Sequence, residues 1–124
     1  MGLLSTAIKV IVRENEWLSE VALWAAWNHR GKLTAAFSCH YVTLDGLEVA
    51  NLTLKYDSTF YTYLRYFGIL LVGQVEHLDK TQPNTVTDQS LEAGILESIH
   101  LRVKLFQHNR VENQRSFAAR LNAC

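Results

Sequence analysis

The dipeptide Asp45-Gly46 lies between two segments in which apolar and polar residues alternate, and this arrangement constrains the fold more than any other feature. Asp-Gly is favoured at the centre of a type I′ turn, which joins the two strands of a β-hairpin. The pairs predicted for the apolar face are Tyr41 with Ala50, Cys39 with Leu52, Phe37 with Leu54 and Ala35 with Tyr56. A register shifted by one residue would mix polar and apolar side chains on both faces. The sequence therefore predicts an antiparallel hairpin in which Cys39 is a small core residue.

The rest of the chain divides into segments with helical or strand periodicity. The first predicted elements are a strand over 7–13 and a helix from Glu16 that Gly31 ends, with His29 and Arg30 in its last turn. A helix over 59–67, which Asp57 and Ser58 can cap, is predicted next, with a strand as the alternative. The remaining predicted elements are a strand over 69–77 after Gly68, a loop over 79–90, a short helix over 91–95 capped by Ser90, a strand over 99–105 and a helix over 112–122. This order predicts a single α+β domain over residues 1–124. Its sheet is antiparallel with helices on one face, in the ferredoxin-like order βαββαβ, followed by a helix–strand–helix extension.

Composition excludes several classes of protein. The 124 residues are 48% hydrophobic and 19% charged, which is enough apolar material for a core and too much for a disordered chain. The formal net charge is zero, so no overall field indicates a nucleic-acid or membrane partner. The start shows no secretory signal, and the apolar run over residues 67–72 is too short to cross a bilayer. We expect a soluble protein of the cytoplasm or nucleus.

Reactive groups do not converge in any familiar pattern. The five histidines lack metal-binding spacings, and the two cysteines, Cys39 and Cys124, are too few for a disulfide framework. No nucleophile elbow, phosphate-binding loop or dinucleotide fingerprint occurs. The sequence therefore predicts no catalytic residue, no metal and no cofactor, and a protein that is not an enzyme.

Binding residues are predicted mainly near the C-terminus, where basic side chains outnumber the acids. The candidates are His100, Arg102 and Lys104 on the outer face of the predicted strand, with Arg110 and Arg115 beyond it, and Trp27 at the edge of the first helix. Basic residues gathered on one face are typical of proteins that contact anionic partners. Trp17 and Trp24, by contrast, share the apolar stripe of the first helix and are predicted to lie in the core.

The N-terminal sequence Met1-Gly2-Leu3-Leu4-Ser5-Thr6 fits the pattern for myristoylation of Gly2. A single myristoyl chain gives only marginal and reversible membrane binding. Peripheral membrane contact is therefore an open alternative, without a transmembrane segment.

Residues 8–15, Ile-Lys-Val-Ile-Val-Arg-Glu-Asn, and residues 19–29, Ser-Glu-Val-Ala-Leu-Trp-Ala-Ala-Trp-Asn-His, resemble the strand-then-helix opening of rhabdovirus matrix protein cores. Residues 47–54 and 66–72 resemble later parts of that family. The chain lacks the family's lysine-rich N-terminal arm and its proline-rich motif, so no functional residue is carried over. The resemblance implies a non-enzymatic viral protein that self-assembles and contacts membrane, nucleocapsid or host factors.

These observations predict a non-enzymatic assembly or adaptor protein. It would be a homo-oligomer or bind a protein partner, and it would also contact an anionic partner such as a nucleocapsid, a membrane or a host factor. A small nucleic-acid-binding α+β module, with RNA or nucleoprotein as its partner, is the alternative. A third possibility is a small enzyme or ligand-binding domain whose site forms only in three dimensions.

Overall fold

The computed structural model describes residues 9–83, 85–89 and 91–123. In these ranges the chain forms three α-helices, α1 (Gly46–Tyr56), α2 (Ser58–Thr81) and α3 (Ala93–Asn122), preceded by one 3₁₀ turn, Glu20–Leu23. The same ranges contain no β-strand, and their one bridge pairs Leu18 with Gln89. The described part of the protein is therefore helical, and the predicted α+β ferredoxin-like fold is wrong.

Asp45 begins a helix instead of turning a hairpin. Its carboxylate accepts a hydrogen bond from the backbone N–H of Glu48 at 3.0 Å, which satisfies one of the free donors at the N-terminus of α1. Gly46 lies so close to the 3₁₀ turn that a Cβ there would be 3.1 Å from the carbonyl oxygen of Leu23. Asp-Gly suits both a type I′ turn and a helix start, and the leucines, alanine and lysine that follow favour a helix.

Residues 31–45 contain no helix or strand. Since residues 46–56 are helical, the first half of the predicted hairpin has no strand to pair with. Its alternating side chains are therefore exposed, and Phe37 and Val42 are both 86% accessible. Cys39 is exposed as well, so its predicted place in the core is wrong.

α2 confirms the helix predicted over 59–67 and extends well beyond it. Asp57 caps α2 as predicted, because its carboxylate accepts the backbone N–H of Phe60 at 2.9 Å. The helix continues through Gly68, so the strand predicted over 69–77 is wrong. Gly68 is needed for a close approach, because a Cβ there would lie 2.6 Å from Cε3 of Trp24.

α3 replaces three predicted elements, the short helix over 91–95, the strand over 99–105 and the helix over 112–122. Ile99 and Val103 are four residues apart, so both can face α2 from one side of a helix. Leu101 and Leu105, which alternation placed on the same face, are 56% and 62% exposed. The capping role predicted for Ser90 lies outside the described residues.

The N-terminal region is less regular than predicted. Residues 9–13, the described part of the first predicted strand, form neither strand nor helix. The predicted helix from Glu16 is reduced to the 3₁₀ turn. Trp24 packs on the core as predicted, but Trp17 is 63% exposed, so its predicted burial is wrong.

Two apolar clusters hold the described fold together. The first lies between α2 and α3 and consists of Phe67, Leu71, Ile99 and Val103. The second joins the 3₁₀ turn, the end of α2 and the segment before α3 through Val21, Val75 and Val86. Only the first cluster contains residues of α3, and all of these lie before residue 104, so this first part of the helix is the part that is covered.

Candidate interaction surface

Five of the six predicted binding residues lie on α3. They are His100, Arg102, Lys104, Arg110 and Arg115. Because α3 is a helix and not a strand, these side chains point in several directions. At about 100° per residue, Lys104 and Arg115 lie within about 20° of each other, whereas Arg110 lies about 120° from Lys104. The structure therefore gathers the basic residues on one element but not on one face.

Residues 104–122 of α3, here called the α3 extension, contain no buried residue. The large apolar side chains exposed there are Leu105, Phe106, Val111, Phe117 and Leu121. By contrast, Val103, the residue before the extension, is fully buried. Exposed apolar side chains on a helix that continues beyond its intramolecular partner indicate an interaction surface.

The α3 extension is also positively charged. Its basic residues are Lys104, Arg110, Arg115 and Arg120, and Glu112 is its one acid. Glu112 lies 3.2 Å from Nε2 of His108, one turn earlier on the helix, where a protonated imidazole would pair with it. The extension therefore attracts anions, although the chain as a whole is neutral.

An open groove of about 550 Å³ lies between α2 and the extension. Its lining combines three aromatic rings, one guanidinium and three side-chain amides: Tyr66, Phe106, Phe117, Arg110, Asn109, Asn113 and Gln114. The rings of Tyr66 and Phe106 have centroids 6.3 Å apart and are inclined by 25°. No carboxylate lines the groove, so it suits a ligand that is both planar and negatively charged.

His100 is held by aromatic side chains of α2 and is not part of a basic face. Its ring lies 4.8 Å, centroid to centroid, from that of Phe67, and its Nδ1 is hydrogen-bonded to the hydroxyl of Tyr63. Burial raises the pKa of Tyr63 above its ordinary value, so this hydroxyl stays protonated near neutral pH. The predicted role of His100 with Arg102 and Lys104 in one anion-binding face therefore lacks geometric support.

Trp27 takes part in a polar cluster around Asp88, far from the α3 extension in sequence. The Oδ1 atom of Asp88 accepts hydrogen bonds from Trp27 Nε1 at 2.7 Å and from Ser19 Oγ at 3.2 Å. Its Oδ2 atom accepts the backbone N–H of Arg30 at 2.6 Å. Trp27 is thus partly buried and serves the fold, and nothing in its environment supports the predicted binding role.

The carboxylate of Asp88 is kept ionised by its neighbours. Partial burial raises its pKa, but hydrogen bonds from Trp27, the Arg30 backbone, His29 and Ser19 outweigh that effect and hold the pKa below its ordinary value. Sequence reasoning missed this residue because it placed Asp88 in a loop. No local signal could have found it, since its hydrogen-bond partners lie about sixty residues earlier in the chain.

Arg30 connects the same cluster to α2. Its guanidinium makes two hydrogen bonds to the carboxylate of Asp79, at 2.6 and 2.7 Å, and lies 4.5 Å from the ring centroid of Trp27. The hydrogen bonds from Arg30 hold the pKa of Asp79 below its ordinary value. The cluster therefore ties the N-terminal segment to the end of α2.

Ser19, His29 and Asp88 share residue types with a catalytic triad but not its geometry. Ser19 Oγ lies 3.1 Å from Nδ1 of His29, and Oδ1 of Asp88 lies 3.3 Å from that same nitrogen. In a triad the hydroxyl and the carboxylate contact different ring nitrogens, so that a proton passes through the imidazole. Here one nitrogen serves both groups, and the contact joins two segments of the chain.

In the described ranges, no three His, Cys, Asp or Glu side chains are placed to hold a metal ion. Nor do these ranges contain a helix with the length and hydrophobicity needed to cross a membrane. Comparison with protein-family models, with curated proteins and with solved structures found no significant match.

Proposed function

We propose that this chain is a non-enzymatic assembly or adaptor protein that binds an anionic partner through the α3 extension. The observation that carries the proposal is the contrast within one helix. α3 buries Ile99 and Val103 against α2 and then continues, over residues 104–122, as a basic segment with exposed apolar side chains and no buried residue. A basic, partly apolar helix surface binds anionic macromolecules by charge and by contact area together.

The total surface of the chain also supports a role in assembly. It exposes 10968 Å² of solvent-accessible surface, whereas a compact monomer of its mass, 14.2 kDa, exposes about 6,800 Å². The difference of about 4,000 Å² per chain is larger than the area that one partner contributes to most permanent protein interfaces, about 1,000–2,500 Å². A chain of this shape gains stability when partners cover part of that surface.

Residues 31–45 are the part of the surface that we propose contacts a second copy of the chain. Exposed apolar side chains there include Leu33, Phe37, Tyr41 and Val42. The charges of Lys32 and Asp45 cancel, so the segments of two copies would not repel each other. The α3 extension, by contrast, is basic in every copy and would repel itself.

One experiment tests the two surfaces separately. Solution mass is measured by sedimentation equilibrium over a range of protein concentrations, for the wild type, for the double variant Phe37→Ser/Val42→Ser and for Phe117→Ser. We expect the wild type to form oligomers that added salt does not weaken, and only the double variant to reduce their mass. A wild type that stays monomeric at all concentrations would contradict self-assembly through residues 31–45.

Binding of the anionic partner is tested with polyglutamate, which carries charge but no base or lipid. Polyglutamate should bind the wild type, and Arg110→Gln should weaken it, because the guanidinium lies in the groove of the α3 extension. Arg13→Gln, which removes an exposed arginine far from the extension in sequence, is the matched control. Equal effects of the two substitutions would contradict the proposed role of the extension.

The resemblance to rhabdovirus matrix proteins agrees with an assembly function but stays a prediction. A catalytic function has less support, because the Ser19, His29 and Asp88 side chains lack the geometry of a proton relay.

A further inference from the structure

We infer that the groove between Tyr66 and the α3 extension binds single-stranded nucleic acid. This inference rests on the proposed function, since it names the anionic partner of the same surface. Four features of the groove carry it: its aromatic rings, its arginine, its amides and its lack of acids. The rings, the arginine and the amides correspond to the bases, the phosphates and the base edges of a nucleotide chain, and the lack of acids leaves a polyanion unrepelled.

The aromatic rings match the bases. Phe106 and Phe117 are 52% and 65% exposed, and Tyr66 lies beside Phe106 in the same groove. Phe106 and Phe117 are eleven positions apart and thus about 16 Å apart along the helix, on the same side of it. Bases of a single strand are free to stack on such rings, and stacking tolerates any base because each has a π-face.

Arg110 matches the phosphates. It lies between Phe106 and Phe117 on the side of the helix that forms the groove. It makes none of the ion pairs found among the described residues. The guanidinium can therefore contact a phosphate or stack on a base without first breaking an internal ion pair.

The amides match the base edges. Asn109, Asn113 and Gln114 each present donors and a carbonyl acceptor, the groups that read the edges of unpaired bases. The one acid of the extension, Glu112, lies about 160° around the helix from Arg110 and does not line the groove. A polyanion is therefore not repelled inside it.

The same lining is poorly suited to an acidic helix of a partner protein. A helix packed along this side of α3 would need a continuous apolar seam, with residues spaced alternately three and four apart. After Phe106 that seam reaches Arg110 and Asn113 before Phe117, so two polar groups would be buried in the interface. Alternation of rings with polar groups fits a nucleotide chain better, because its bases and phosphates alternate too.

The test measures fluorescence anisotropy of a labelled oligouridylate of about twelve nucleotides, a length within the range of known single-strand sites. The variants Arg110→Gln and Phe117→Leu should each weaken binding at least about fivefold. The matched controls, Arg13→Gln at an exposed arginine far from the extension in sequence and Tyr56→Leu at an exposed ring on α1, should change it less than about twofold. Circular dichroism confirms that each variant keeps its helix content.

Salt and competing ligands separate this inference from simple charge attraction. Removing one phosphate contact in Arg110→Gln should reduce the slope of log affinity against log salt by about 0.7. Polyglutamate should bind Phe117→Leu as well as it binds the wild type, because it has no bases to stack. A duplex of the same length should bind less tightly than the single strand, because its bases are already stacked and paired.

The possible failures are distinguishable. If Arg110→Gln weakens both polyglutamate and oligouridylate while Phe117→Leu weakens neither, the anionic surface stands and the nucleic-acid inference is wrong. Tighter binding to anionic lipid vesicles than to oligouridylate would also overturn the inference, in favour of a membrane. If no polyanion binds the wild type, both the proposed function and the inference are wrong.

Discussion

Residues 93–103 of α3 and the α3 extension differ far more in burial than in the presence of apolar side chains. Ile99 and Val103, before the extension, are 2% and 0% exposed, whereas Phe106 and Phe117 in the extension are 52% and 65% exposed. Both pairs lie on one side of the same helix. The difference is that the core between α2 and α3, with Trp24 packed against it, includes Ile99 and Val103, whereas the extension lies beyond this core.

This comparison teaches that an apolar stripe does not by itself locate a core. Apolar side chains recur on this side of α3 beyond residue 103, although Arg110 and Asn113 interrupt them. The same kind of side chain therefore stabilises the fold before the extension and forms an exposed surface within it. Apolar side chains that are exposed to water carry an unfavourable free energy, and a partner that covers them would remove it.

The largest effect is expected from shortening a buried side chain in residues 93–103 of α3. Ile99→Ala should lower the free energy of unfolding by about 2–5 kcal/mol, because it removes buried apolar contacts and leaves a cavity. Phe117→Ala, the matched change in the α3 extension, should alter it by less than about 0.5 kcal/mol. Urea denaturation at dilute protein concentration measures both. Equal losses would show that the extension is packed in the free chain, and the comparison would fail.

The Asp88 cluster on the packed side should come next. Asp88→Asn should lower the free energy of unfolding by about 2 kcal/mol at neutral pH, because its charge-assisted hydrogen bonds to Trp27 and Arg30 are weakened. His77→Gln, at an exposed position on α2, serves as the control for a neutral polar substitution and should change stability little.

The same cluster predicts how stability depends on pH. The pKa values of Asp79 and Asp88 are lower in the folded chain than the value of about 3.9 for an unfolded aspartate. Their contribution is therefore complete above about pH 5 and is lost as the pH falls through the folded pKa values. As the pH falls from about 5 through the folded pKa values, the free energy of unfolding of Asp88→Asn should decrease less steeply than that of the wild type. Parallel pH profiles would show that the Asp88 carboxylate is not held by these contacts.

Two glycines of α2 allow a packed position to be compared with an open one within the same helix, and the expected changes in the free energy of unfolding are smaller. Gly68→Ala should lower the free energy of unfolding by about 1–3 kcal/mol, because the new Cβ would lie 2.6 Å from the ring of Trp24. Gly73→Ala should raise it by up to about 1 kcal/mol, because nothing lies within 4 Å and alanine favours a helix. The two midpoints of thermal unfolding should move in opposite directions, and a shift in the same direction would place Trp24 away from α2.

The smallest effect concerns the start of α1. Asp45→Ala should lower the free energy of unfolding by about 1 kcal/mol through loss of the cap to Glu48, whereas Asp45→Asn should be nearly neutral because asparagine also caps helices. Far-UV circular dichroism and urea denaturation check both variants. Identical stability of Asp45→Ala and the wild type would contradict a capped helix at this position.

Prediction from sequence succeeded where a structural signal was short-range. The cap at Asp57, the helix over 59–67 and the core position of Trp24 were all predicted, as was a helix over 112–122. The hairpin failed because Asp45-Gly46 begins two different structures equally well, and alternation in residues 47–54 did not exclude a helix. The strand over 99–105 failed for a related reason, since Ile99 and Val103 share a face in both a strand and a helix.

The candidate surface was only partly predictable. Sequence reasoning found the basic residues of the C-terminal region, including Arg110, because charge is visible without a fold. It missed the groove, because Tyr66 on α2 meets Phe106 on α3 only after the two helices pack. The binding role of Trp27 stays a prediction, and sequence reasoning did not foresee that its ring donates a hydrogen bond within the Asp88 cluster.

The helix cap at Asp57 and the positive charge of the C-terminal segment follow from local sequence, because each depends on residues within a few positions of each other. The packed fold was needed to show that Gly68 lies against Trp24, that Asp88 joins Trp27 to Arg30, and that α3 is buried up to Val103 and exposed beyond it. Burial depends on which distant segment lies opposite a side chain, and local pattern carries no information about that distant segment.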